Sequence, residues 1–255
     1  MSILKGGVAF FDSGIGGLTV LNECRKKLPN ETFYYYGDNE NAPYGNLPPE
    51  KIVRFVFSAF EKFQELEVKA AVIACNTATA VCAELLREKY TFPIIGAEPA
   101  IFTAAQKGGR VFVLTTRATY ESARFRALCD RAEKRFPQAS VIPKACDKLA
   151  GEIEKRLLEK TYDFSSLLPP GKPDSVVLGC THYIYLKEKI GEFYNAETFD
   201  GNFGMAKRLA SFLEKMPTEN MPGKAPVFFL GNKRRLRRPC AVLSTRRSRK
   251  TVLYQ

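Results

Sequence analysis

One order of segments recurs along this chain and narrows what it can become. A short apolar run leads into a turn of small polar residues, and a stretch with apolar residues at helical spacing follows. Gly7-Val8-Ala9-Phe10-Phe11 ends in Asp12-Ser13-Gly14-Ile15-Gly16-Gly17, after which Leu18, Leu21 and Leu28 keep helical spacing. Phe33-Tyr34-Tyr35-Tyr36 predicts a second strand, and a loop rich in Pro, Asn and Gly runs from Asn39 to Pro49. A helix is expected over 50–67, a strand ending at Cys75, a helix through Leu85 and Leu86, and a strand over 92–95. The order restarts at Arg110: a strand over 111–114, a helix over about 118–136, a strand over 139–143, a helix over 149–158, a strand over 174–178 and a helix from Tyr183.

The restart keeps its spacing. Val8 and Val111 lie 103 residues apart, and Cys75 and Cys180 lie 105 apart. Alternating strands and helices give parallel sheets with helices on both faces. The expected fold is therefore α/β: two similar parallel-sheet domains facing each other across a central active-site cleft. The first comprises residues 1–97 plus 206–255, and the second residues 98–205. In open α/β sheets ligands bind beyond the carboxyl ends of the strands, where Asp12, Cys75, Thr115 and Cys180 all fall.

Composition removes several classes. No apolar run approaches the roughly 18 residues that span a bilayer, and the N-terminus passes straight into a strand, leaving no room for a signal peptide. Seven cysteines is an odd number, and none form a CxxC pair, so neither a disulfide framework nor a metal site is indicated. A reducing, cytoplasmic setting is expected. The net charge of +12 belongs mainly to residues 231–255, which hold nine Lys or Arg and no acidic residue; the remainder carries +3. A near-neutral body argues against a nucleic-acid partner, and the tail reads as an atypical, divergent or disordered terminus.

The turn after Asp12 admits three readings. It is a tight turn relieved by glycine, a dinucleotide fingerprint, or a carboxylate beside helix-opening amides that would hold an amino acid's ammonium and carboxylate. The fingerprint fails where Thr19 stands in place of its third glycine. Cys24, Cys82, Cys129, Cys146 and Cys240 read as small core hydrophobes. Cys75 and Cys180 differ because polar residues follow each and each precedes a helix, whose N-terminus lowers a thiol pKa from about 8.5 toward neutrality. Asn76-Thr77 and Thr181-His182 add donors for a carboxylate, and His182 is the sole histidine. In Asn41-Ala42-Pro43-Tyr44-Gly45, Pro43 and Gly45 fix a turn and Tyr44 is placed to wall a pocket.

Asp-Ser-Gly-Ile-Gly-Gly-Leu, Ala-Pro-Tyr-Gly, Ala-Cys-Asn-Thr-Ala and Gly-Cys-Thr-His-Tyr, in that order and spacing, closely resemble the glutamate racemases of the cofactor-independent aspartate/glutamate racemase superfamily. The resemblance covers about residues 7–230. It implies two-base racemisation of L- and D-glutamate, without cofactor or metal, supplying D-glutamate for peptidoglycan in a bacterial cytoplasm. It implies that Cys75 and Cys180 exchange the α-proton, Cys75 with the D-isomer and Cys180 with the L-isomer, assisted by Asp12 and His182 respectively. It also implies substrate contacts from Asp12, Ser13, Tyr44, Gly45, Asn76, Thr77, Thr181 and His182. A glutamate assists the second thiol; spacing from Cys146 favours Glu154 over Glu152. Family members often form homodimers, though nothing in the sequence selects a packing mode.

Departures from the pattern are local. Ile184-Tyr185 stands where the family often has Pro-Leu, which is expected to alter the start of a helix rather than the chemistry. Gly201 replaces a serine, and the basic tail replaces a Ser-Gly-Asp turn and a final helix. Two alternatives stand beside the leading reading: a racemase of another acidic amino acid such as aspartate, and a nucleotide- or nucleic-acid-binding protein using the glycine turn and basic tail.

Overall fold

Every residue of strand β1 (Val8–Asp12) is buried, as expected of a central strand in a parallel sheet covered on both faces. The computed structural model describes residues 6–157, 159, 162–216 and 226–230, together with the backbone of Thr251–Leu253. After β1 the chain runs through α1 (Leu18–Lys27), β2 (Phe33–Gly37), α2 (Pro49–Glu65), β3 (Ala70–Ile73), α3 (Asn76–Lys89) and β4 (Ile94–Gly96). It then crosses to a second set: α4 (Ile101–Ala105), β5 (Gly109–Thr115), α5 (Arg117–Glu121), α6 (Ala123–Arg135), β6 (Ala139–Ala145), α7 (Leu149–Arg156), β7 (Ser175–Leu178), α8 (Lys187–Tyr194) and β8 (Glu197–Phe199). Helix α9 (Asn202–Leu213) returns to the first set, followed by β9 (Val227–Leu230) and β10 (Thr251–Leu253).

The strands form two sheets, ordered β10-β9-β2-β1-β3-β4 and β6-β5-β7-β8, and all the pairings are parallel. The block β2-β1-β3-β4 repeats as β6-β5-β7-β8, so the sequence repeat is a topological one. In each block the chain leaves the central strand (β1 or β5) to one side and returns on its other side. The ends of β1 and β3, and of β5 and β7, therefore flank a topological switch point, where open sheets place their ligands.

Alternation on the strands sorts the core. Val8 and Phe10 face α1 and α9, meeting Leu18, Leu21, Leu209 and Leu213. Ala9 and Phe11 face α2 and α3, with Val56, Phe60, Cys82 and Leu86. In the second sheet Phe112 and Leu114 meet Leu149, Ile153 and Ile190, while Val111 and Val113 meet Phe125, Leu128 and Ala132. Cys24, Cys82, Cys129 and Cys146 are buried as expected; Cys240 lies outside the described residues.

Three local expectations change. The helix read over 118–136 breaks at Ser122, which is extended (φ −71°, ψ 139°). Its hydroxyl accepts the Phe125 N–H at 3.2 Å, so it caps α6 instead of sitting inside one helix. The segment after Cys180 opens as a 3-10 turn, Thr181–Leu186, before α8 begins. The tail read as disordered lies outside the described residues through position 250; at Thr251–Leu253 it is instead a strand, pairing with the edge that β9 would otherwise leave open. Among the described residues no helix is long and apolar enough to cross a membrane.

Candidate active site

Asp12 ends β1 fully buried. Its Oδ1 accepts the Gly14 N–H at 2.9 Å, and its Oδ2 accepts the Thr181 hydroxyl of the second half at 3.2 Å. Burial raises its pKa, against the opposing pull of His182 and of turn amides. Cys75 follows β3 and caps α3, its Sγ accepting the Ala78 N–H at 3.5 Å and donating to Ser13 Oγ at 3.5 Å. A thiol at a helix N-terminus was expected to have a lowered pKa. Instead burial, with the Asp12 charge behind it, pushes Cys75 up to about 11; the Ser13 and Ala78 contacts act downward but lose.

Cys180 occupies the equivalent place after β7, with different company. Its Sγ lies 3.8 Å from His182 Nδ1, and His182 Nε2 lies 2.5 Å from Glu154 Oε2. Burial opposes a charge on His182, yet the bonds to Cys180 and Glu154 hold its pKa well above the ordinary value. The His182 ring therefore bridges the Glu154 carboxyl group and the second thiol. Glu152, the other candidate, points elsewhere and pairs with Arg156 at 2.9 Å and Lys155 at 3.5 Å.

The remaining expected residues divide. The Thr77 and Thr116 hydroxyls are hydrogen-bonded at 2.9 Å, joining α3 to the turn after β5. Tyr44 is buried and donates to Asp38 at 2.6 Å, and Asn41 bonds the same carboxylate. Asp38 thus anchors the 39–49 loop. Gly45 packs against Thr116, where a Cβ would lie 2.8 Å from the threonine Cβ. Asn76 is half-buried and lines a cavity of about 300 Å³ with Glu98, Thr119, Arg124 and Arg131; neither Cys75 nor Cys180 lines it. Among the described residues no group of three or more His, Cys, Asp or Glu is placed to hold a metal ion.

The glycine turn is a close-packing surface. A Cβ on Gly14 would lie 2.7 Å from Glu154 Oε2, and one on Gly16 would lie 2.3 Å from Thr181 Oγ1. These glycines let the first half meet the Cys180 side, and the acidic Glu154 beside them is unsuited to a phosphate. Sequence reasoning missed two phenols that grip this turn. Tyr35 donates to Gly14 O at 2.8 Å and Tyr185 to Ile15 O at 2.7 Å. The expectation that Tyr185 matters only for the start of a helix is corrected by this contact between the halves. A tyrosine in place of leucine within a buried motif was the available signal, but its partner lies 170 residues away.

Two thiols at equivalent strand ends, one near the Asp12 carboxyl group and one beside the His182 ring, can take and give a proton at one carbon from two sides. The fold and its site thus define an isomerase-type α/β architecture. The chain belongs to the Asp/Glu/Hydantoin racemase family, whose pattern matches residues 19–202. It is 36% identical over 241 residues to a glutamate racemase of Clostridium botulinum, covering 89% of this chain and 93% of that protein. The solved glutamate racemase of Escherichia coli, in complex with L-glutamate and the activator UDP-MurNAc-ala, superposes with a TM-score of 0.83 at 29% identity, covering 98% of this chain and 97% of that one. A glutamate racemase isoform from Bacillus anthracis gives a TM-score of 0.81 at 28% identity, with the same shares covered.

Proposed function

We propose that this protein interconverts L- and D-glutamate by exchanging the α-proton between Cys75 and Cys180. The observation that carries the reading is the placement of two buried thiols at equivalent strand ends, each with its own acid/base companion. The glutamate racemases among its relatives support glutamate as the substrate.

An amino-acid α-proton is a very weak acid, so the site must supply a base, an acid on the opposite face and stabilisation of the developing negative charge. At neutral pH Cys75 holds its proton, its pKa having been pushed up to about 11. Cys180 Sγ lies 3.8 Å from His182 Nδ1, a ring nitrogen with which it can exchange a proton. In the direction that starts from L-glutamate Cys180 removes the proton and Cys75 delivers one; turnover of D-glutamate exchanges the two roles. Asp12 and the Gly14 amide orient the Cys75 side, and Glu154 holds His182 in place. Ser13, Tyr44, Gly45, Asn76, Thr77 and Thr181 complete the substrate-holding set. The reading carries with it the supply of D-glutamate for peptidoglycan, a bacterial cytoplasmic setting and assembly as a homodimer.

The test follows α-proton exchange by NMR in deuterated water, with no cofactor added, for L-glutamate, D-glutamate and L-aspartate. Exchange with glutamate well above that with aspartate is expected, together with its loss in Cys75→Ala and Cys180→Ala. Unimpaired exchange in both variants overturns the two-thiol assignment, and faster exchange with aspartate overturns the substrate.

A further inference from the structure

Carbonyls 14 and 15, in the turn that follows Asp12, are each held by a phenol, and the two phenols come from different halves. Tyr35, on β2, holds Gly14 O, and Tyr185, in the 3-10 turn after Cys180, holds Ile15 O. Because a peptide unit is planar and trans, fixing a carbonyl also aims the N–H of the next residue. The Gly14 carbonyl shares its plane with the Ile15 N–H, which points at Glu154 Oε2 at 3.4 Å. The Ile15 carbonyl is the next plane, and it also accepts the Leu18 N–H at 3.2 Å where α1 begins. Tyr35 thus holds the plane that carries the Ile15 N–H and Tyr185 the plane on the other side of Ile15, so the two together restrain the backbone torsions of that residue.

We propose that Tyr185 is a positioning residue for proton transfer at Cys180: it pins the Asp12–Gly17 turn of the first half so that Ile15 steadies Glu154 behind His182. This inference rests on the reading that Glu154 and His182 assist Cys180. Tyr185 sits three residues beyond His182 in the same 3-10 turn, so any displacement of the Cys180 segment pulls on the Asp12 turn as well. The phenol thereby couples the alignment of the two half-sites. Tyr35 cannot do this, because it belongs to the same sheet as the turn it holds.

The experiment compares Tyr185→Phe, which keeps the ring and deletes only the hydroxyl, with wild type in both Glu154 and Glu154→Ala backgrounds. A hydrogen bond of ordinary strength corresponds to roughly a 3- to 10-fold effect. Tyr185→Phe is expected to lower kcat by about that factor with KM within about twofold. In the Glu154→Ala background the same substitution is expected to lose most of its effect, since coupled residues are not additive. Thermal melting of each variant separates a folding defect, which moves Tm but leaves kcat unchanged. Unchanged kcat in Tyr185→Phe overturns the inference, as does a full effect that persists without Glu154. If Glu154→Ala itself leaves turnover intact, the fault lies instead in the role given to Glu154.

Discussion

Substituting Gly16 by alanine puts a methyl group where the two halves meet. The added Cβ would lie 2.3 Å from Thr181 Oγ1, 2.8 Å from Thr181 Cβ and 2.8 Å from His182 Nδ1. Carbon contacts are comfortable near 3.5–4.0 Å, so about 1 Å of separation is needed. Rotating the Thr181 hydroxyl away does not provide it, because Thr181 Cβ is itself too close, and rotation breaks the 3.2 Å bond to Asp12. The halves must therefore part locally, moving Thr181, His182 and Cys180 away from the Asp12 side. A misplacement of about 1 Å costs on the order of 100-fold in rate, and overpacking costs about 1–3 kcal/mol in stability. At roughly 2–4 °C per kcal/mol for a chain of this size, Tm falls by several degrees. The assays are glutamate racemisation followed by circular dichroism and thermal melting of the same samples. Gly204 supplies the control: it is exposed in α9, and a Cβ there meets nothing within 4 Å. Gly204→Ala should leave turnover unchanged and stabilise the helix by about 0.5–1 kcal/mol. If Gly16→Ala keeps more than about half of wild-type kcat, the close meeting of the halves is not what aligns the site.

Two further outcomes are expected from the titrating groups. Glu154→Gln removes the carboxylate that helps keep His182 protonated, so the histidine pKa falls toward its ordinary value of about 6.5. Stability gained from a raised histidine pKa is fully present below that ordinary value and fades as pH rises through the folded-state one. Melting curves should therefore show wild type ahead of Glu154→Gln by about 2 kcal/mol near pH 6, with the gap narrowing in alkaline buffer; a gap that widens with pH contradicts the pairing. Alkylation of Cys75 by iodoacetamide, read by mass spectrometry, should quicken about tenfold per pH unit from 7 to 9, because only the thiolate reacts and its pKa is about 11; a plateau by pH 8 would show that the thiol titrates near neutrality.

What could be read from the chain was local and periodic. The apolar runs ending at Phe11, Ile73, Leu114 and Leu178 are legible because a strand buried on both faces needs an unbroken apolar run, and the constant offset gave the repeat. Helix α9 left a signal in Met205, Leu209 and Leu213, four residues apart. The three-residue strand β8 left almost none. The break at Ser122 was hidden because serine is acceptable inside a helix, and only its backbone geometry makes it a cap. The cysteine strand ends were legible from type and order, but the Cys75 pKa was not. The helix-terminus effect does act in the expected direction through Ala78, yet the depth of burial and the approach of Asp12 are set by tertiary packing. The Tyr185 contact was beyond reach for a similar reason: sequence spacing says nothing about which carbonyl a phenol finds 170 residues away.

The two half-sites show how a repeated fold can hold an unsymmetrical pair of groups. Topology places Cys75 and Cys180 alike, each after the strand that follows the crossover in a 2-1-3-4 block. Their surroundings then differ in sign. The charge nearest Cys75 is the Asp12 carboxylate, which with burial favours the protonated thiol. Cys180 is bonded to His182, whose positive form is held by Glu154. The carboxylate at the end of β1 and the histidine in the turn after β7 thus give the two thiols unlike neighbours. The Thr181–Asp12 bond then holds the two environments against each other, so loosening it disturbs both thiols at once.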